Sequence, residues 1–124
     1  MPPVALVVDD SMLVRHTVCR FLEERGYEVE SATNGAEALQ MMSCVRPDLI
    51  ITDMIMPRMT GPELITALKS NPTTAAIPIV VIAGRGAAKD ARLETRADYV
   101  IFKDIDIDSQ LQKALAKVFA SSAC

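Results

Sequence analysis

The chain reads as an α/β protein whose parallel sheet is covered by helices on both faces. Short apolar runs alternate with amphipathic stretches from one end of the sequence to the other, the pattern of repeated strand-helix units. The runs at 4–8, 49–52 and 79–82 are apolar on both alternating faces, as strands buried between two helical layers must be. The length of 124 residues, half of them hydrophobic, suits a single domain, 1–124, with its own core.

The first strand is Val4 to Val8, and the first helix follows from Ser11, a good N-cap residue. Val14, Val18, Phe21 and Leu22 fall on one face of that helix, and Gly26 supplies its stop. A second strand is expected over 27–31. Asn34 then caps a helix in which Ala38, Leu39, Met42 and Val45 recur at helical spacing until Pro47. Leu49 to Thr52 forms the third strand, and a shorter helix spans roughly 62–70. Ile79 to Ile82 is the fourth strand. The segment 86–96 is expected as a fourth helix, although its alanines and charges give little periodicity. Tyr99 to Phe102 is the fifth strand. A last helix from about Asp108 sets Leu111, Leu115, Val118 and Phe119 on its buried side. The first, third and fourth strands, being the most apolar, belong at the centre of the sheet.

Asp9 and Asp10 follow the first strand immediately, and Asp53 follows the third. Open parallel sheets bind ligands beyond the carboxyl ends of their strands, where the strand order reverses. If strands one and three are neighbours there, as in the order 2-1-3-4-5, the three carboxylates converge. Their mutual repulsion then calls for a cation, and a hard ion such as Mg2+ prefers oxygen ligands of this kind. A metal beside a carboxylate suits phosphoryl transfer, which depends on positioning and on neutralising charge. Asp53 is the nucleophile candidate. Lys103, just after the fifth strand, stands at the same sheet edge and is suited to a phosphoryl oxygen.

The residues Val7-Val8-Asp9-Asp10-Ser11, Asp48-Leu49-Ile50-Ile51-Thr52-Asp53-Met54-Ile55-Met56-Pro57, Gly61 and Lys103 resemble the receiver domain of bacterial two-component response regulators, over essentially the whole chain. The resemblance implies a flavodoxin-like (βα)5 fold with strand order 2-1-3-4-5. It implies phosphorylation of Asp53 by a histidine kinase or histidine phosphotransfer protein. It also implies Mg2+ bound by Asp10, Asp53 and the backbone carbonyl of Ile55, with Asp9 assisting through water. Arg15 and Pro57 also match positions where such residues are common in the family.

The sequence departs from the family where its members switch. Ala83 stands where receivers usually carry a Thr or Ser that bonds the phosphoryl oxygen, and Val100 where they carry a Tyr or Phe, with Tyr99 one place earlier. Asp104 replaces the proline that usually follows the lysine in a cis peptide, and a trans bond is expected. The Gly84 amide or the Arg85 guanidinium, just beyond the missing hydroxyl, is a substitute phosphoryl contact.

The leading reading is therefore a receiver that signals by changing its binding to an unknown downstream protein. Its usual signalling and dimerisation face comprises the fourth helix, fifth strand and fifth helix, which makes a homodimer one expectation. The alternative is an interaction module, a pseudo-receiver, whose state is largely independent of phosphate. An enzyme is not expected beyond self-catalysed phosphoryl transfer, because a phosphohydrolase would need a second acid two places after Asp53, where Ile55 stands. The net charge of -3 argues against direct nucleic-acid binding. Three cysteines without metal or redox spacing, and no long apolar run, lead to the expectation of a reducing, cytoplasmic setting without membrane contact. The cysteines are read as small buried or terminal residues, His16 as a surface or boundary residue, and the methionines as packing.

Overall fold

The structure, a computed structural model, describes residues 2–84, 89, 91, 94–103 and 106–120. Five parallel strands, β1 (Val4–Val8), β2 (Glu28–Ala32), β3 (Leu49–Asp53), β4 (Ile79–Ala83) and β5 (Tyr99–Phe102), form one sheet in the order β2-β1-β3-β4-β5. The flavodoxin-like doubly wound arrangement and the central position of the three apolar strands are both as expected. The helices are α1 (Met12–Glu23), α2 (Gly35–Met41), α3 (Gly61–Lys69) and α4 (Ile107–Ala120). The helix expected over 86–96 falls largely outside the described residues, so α4 is the helix expected as the fifth. No helix among the described residues is long and apolar enough to cross a membrane.

Alternation along the strands divides the core in two. Leu6, Val8, Ile50, Ile79 and Val81 face α2 and α3, where Ala38, Leu64, Ile65 and Leu68 cover them. Ala5, Val7, Leu49, Ile51, Val80, Ile82 and Ile101 face α1 and α4, under Val18, Phe21, Leu22, Leu111 and Ala114. The outer part of the expected α4 face is less deeply covered, with Leu115, Val118 and Phe119 half-buried.

The caps follow the sequence. Ser11 accepts from the Val14 amide and Asn34 from the Glu37 amide, while Thr60 and Glu63 close a reciprocal capping box ahead of α3. Gly26, at φ 88, ends the turn after α1. There the Tyr27 amide donates to Leu22 O at 3.1 Å, so it is committed to the helix stop and β2 starts at Glu28, one residue later than expected. The second helix also ends earlier, at Met41, because the Ser43 amide and hydroxyl both turn back to Gln40 O and tighten the last turn. Cys44 beyond it is exposed, contrary to the expectation of a small buried cysteine, and Cys19 is half-buried. Cys124 lies outside the described residues. His16 is exposed, as anticipated.

Two contacts brace α3. Arg96, before β5, donates to Thr66 Oγ1 at 2.7 Å and to Pro62 O at 3.4 Å, its guanidinium paired with Glu94 at 2.8 Å, which ties this segment to α3. Gly61 lies flat against the end of β3 and donates its amide to Met54 O at 2.9 Å. A Cβ there would overlap the Asp53 carbonyl oxygen and come within 2.9 Å of Met54 Cα. Both neighbours are backbone and cannot swing aside. Gly61→Ala is thus expected to lower stability by about 1–3 kcal/mol, the usual cost of overpacking, read as a fall in the denaturant midpoint at unchanged slope.

Candidate functional site

The register of the central strands assembles the site. Val8 pairs with Thr52 across β1 and β3, so the next residue of each strand, Asp9 and Asp53, emerge side by side at the carboxyl edge. Asp9, Asp10 and Asp53 each offer a carboxylate oxygen within 4.8 Å of the others. The convergence expected from strand order is present, with Asp9 and Asp53 buried and Asp10 exposed.

Each buried carboxylate is held by local backbone. The Ser11 amide donates to Asp9 Oδ1 at 2.8 Å, and the Met54 amide donates to Asp53 Oδ1 at 2.8 Å. Arg15, one turn into α1, donates to Asp9 O at 2.9 Å and fixes the entry into the helix. The Thr52 hydroxyl donates to Asp53 O at 3.0 Å. Lys103 reaches in from the end of β5, its Nζ 2.9 Å from Asp53 Oδ2 and 3.3 Å from Asp9 Oδ2. The second contact is an ion pair out of line for a hydrogen bond, and buried Asp9 Oδ2 has no hydrogen-bond donor.

Electrostatics follow from this crowding. Burial pushes the Asp9 carboxyl above its ordinary 3.8, the Ser11 amide pulls it back, and the nearby Asp53 charge pushes it up again. Burial opposes the Lys103 charge, but the hydrogen bond and charge of Asp53, with the charge of Asp9, outweigh it and hold the ammonium above its ordinary 10.5. A hard divalent cation fits this donor set, since it would take the orphaned Asp9 oxygen and relieve the repulsion between carboxylates.

Ile55 follows Asp53 by two places in an exposed loop. Ala83 ends β4, fully buried, and presents a methyl group where a hydroxyl was looked for. Gly84 lies beside the Lys103 stem, with Cδ 3.9 Å from where a Cβ would stand. Val100 packs against the core under α2 and α3, and Tyr99 against that under α1 and α4. Arg85 and Asp104, and with Asp104 the expected trans bond, lie outside the described residues. The backbone partners of Asp9 and Asp53 had no signature of their own in the sequence, because any residue supplies an amide.

The fold and this edge define the class first: an open parallel α/β domain with an acidic, cation-competent crevice where its strand order reverses. A model of the response regulator receiver domain family matches residues 5–116, and the chain belongs to that family. It is 36% identical over 118 residues to response regulator MprA of Mycolicibacterium vanbaalenii, an alignment covering 94% of this chain and 50% of the relative. The chain thus spans about half the length of the curated relatives it matches. The signal receiver domain of a signal transduction histidine kinase from Syntrophus aciditrophicus is similar at TM-score 0.86 and 33% identity, over 98% of this chain and 92% of that one. The chemotaxis response regulator CheY4 of Vibrio cholerae gives TM-score 0.82 and 31% identity, over 95% and 99%. Receiver domains of this kind are regulatory parts of two-component systems.

The raised Asp9 value yields a test. With a folded pKa above the unfolded 3.8, the native state holds that proton more tightly than the unfolded chain does. Ionising Asp9 therefore removes stability as pH rises from 3.8 through the folded value, and the loss persists at neutral pH. Asp9→Asn should raise the thermal midpoint in chelator at pH 7 and abolish most of the stabilisation that added Mg2+ gives the wild type.

Proposed function

We propose that residues 1–124 act as one receiver domain that accepts a phosphoryl group on Asp53 from a phosphohistidine of a histidine kinase or histidine phosphotransfer protein. The observation that carries this reading is the pairing of buried Asp53 with Lys103 at 2.9 Å beside two further carboxylates. Asp9, Asp10, Asp53 and the Ile55 carbonyl are the proposed Mg2+ ligands. When bound, the ion supplies positive charge that offsets the phosphoryl oxygens.

In the transfer, an Asp53 carboxylate oxygen attacks phosphorus. The phosphorus–nitrogen bond to the donor breaks, and the nitrogen leaves with the electron pair; the donor ring reacts with its other nitrogen protonated, so it departs as neutral imidazole. Met54 holds the other carboxylate oxygen of Asp53 by its amide, which leaves Oδ2 to react. Lys103 already contacts Oδ2 and follows the charge onto the phosphoryl oxygens as it arrives. Asp9, a second buried carboxylate beside the acceptor, repels a dianionic donor, and a cation held by Asp9, Asp10 and Asp53 would offset that repulsion. The domain then signals through altered binding to a downstream protein, with the face made by the segment 86–96, β5 and α4 as the proposed docking or dimerisation face.

The test is intact-mass detection of one phosphoryl adduct after incubation with acetyl phosphate and Mg2+. The adduct is expected in the wild type, absent in Asp53→Asn, and absent when the metal is chelated. A folded, Mg2+-binding wild type that gains no adduct would overturn the reading and favour the phosphate-independent module.

Ala83 bears on how strongly phosphate holds the switched state. A hydrogen bond to a charged group contributes about 1.5–3 kcal/mol, so Ala83→Ser is expected to tighten binding of the phosphate mimic beryllofluoride roughly ten- to a hundredfold by titration. Unchanged affinity would mean that another group, the Gly84 amide or the Arg85 guanidinium, already fills that role.

A further inference from the structure

We propose that Gln110 is a positioning residue for Lys103, acting through the backbone of Phe102. The role of Lys103 in phosphoryl transfer belongs to the reading above, and this inference rests on it.

β5 is the outer strand of the sheet, so the backbone groups on its far side have no strand to bond. The Lys103 amide points inward and donates to Ala83 O at 2.9 Å. Alternation turns the groups of the preceding residue, Phe102, outward. Gln110 of α4 meets both of them. The Phe102 amide donates to Gln110 Oε1 at 2.8 Å, and Gln110 Nε2 donates to Phe102 O at 2.8 Å. The carboxamide reproduces the donor and acceptor of a peptide group, and the strand end is bonded as though another strand lay alongside.

Gln110 is held in turn. Its amide and its Nε2 both approach Asp106 O at 3.3 Å. The Asp106 carboxylate accepts from the Asp108 amide at 3.1 Å and from the Ser109 hydroxyl at 2.9 Å, which fixes the first turn of α4. Lys103 starts from this clamped end and spans to Asp53 Oδ2 and Asp9 Oδ2. A long flexible side chain reaches a fixed point only from a fixed root, and small misplacements of a transition-state contact are expensive in rate. Ala83 offers no hydroxyl on the neighbouring strand, so among the described residues Lys103 is the cation at Asp53. The placement of its root is correspondingly important.

The chemistry singles out the amide. Glutamate of the same length keeps the acceptor for the Phe102 amide but sets a charged oxygen against Phe102 O. Leucine of similar size keeps packing and loses both bonds.

The experiment compares wild type, Gln110→Leu, Gln110→Glu, Lys103→Ala and the double variant Gln110→Leu/Lys103→Ala, all well below their measured thermal midpoints. The readouts are the NMR signals of the Lys103 ammonium terminus and the rate of adduct formation from acetyl phosphate with Mg2+. Gln110→Leu is expected to shift the Lys103 signals and to slow the adduct roughly tenfold or more, with Gln110→Glu falling between it and wild type. In the Lys103→Ala background the same substitution should leave the residual rate unchanged, as a double-mutant cycle requires of a residue acting through another. Equal slowing in both backgrounds, or Lys103 signals that do not move, would overturn the proposal and reduce Gln110 to a structural brace. If Gln110→Leu does not fold, Gln110→Glu decides by the same criteria. A wild type without adduct sinks the acceptor reading, and the Lys103 signals then decide the positioning alone.

Discussion

Two carboxylates held side by side out of water, Asp9 and Asp53, are the constraint to which the carboxyl edge of this sheet is built. They are brought together by the Val8–Thr52 register of the two central strands. Such an arrangement is unfavourable in isolation, because burial and the neighbouring Asp53 charge both resist ionisation of Asp9. It persists because the strands beneath are largely apolar and almost wholly buried, and because one ammonium group lies against both aspartates. Sites with chemical work to do are commonly sustained in this way, with stability generated elsewhere in the fold.

Lys103 and the capped backbone amides settle only part of the charge. Asp9 Oδ2 stays without a hydrogen-bond donor, and Asp10 remains open to solvent at the rim. The crevice is consequently half-neutralised: attractive to a small hard cation, and through that cation to an anion. The family to which the chain belongs gives this property its context in two-component regulation.

Much of this was legible in the sequence for a physical reason. Central strands announce themselves by apolar residues on both faces, and Ser11 and Asn34 announced helix starts because their side chains bond amides three residues ahead. The acidic cluster was legible because strand ends and strand order together dictate proximity. What escaped was of another kind. The start of β2 depended on which carbonyl the Tyr27 amide chose, and the end of α2 on Ser43 turning back to Gln40. The Gln110 clasp on Phe102, eight residues away, and the Arg96 tie to α3 across thirty residues are each made by a single side chain, which leaves no periodic trace. Ala83 could be seen as a missing hydroxyl, but the close fit of Gly61 against Asp53 O needed coordinates.

The division of the core has an evolutionary corollary. Among the described residues the buried strand side chains divide between two clusters on opposite faces of the sheet, one under α2 and α3 and one under α1 and α4. Sequence drift on one exterior therefore leaves the other side's packing intact, and both leave the register of β1 and β3 alone. A lineage can rewrite what one flank of the molecule recognises while inheriting the acidic crevice unaltered, which lets a single reactive edge be reused under many different outer surfaces.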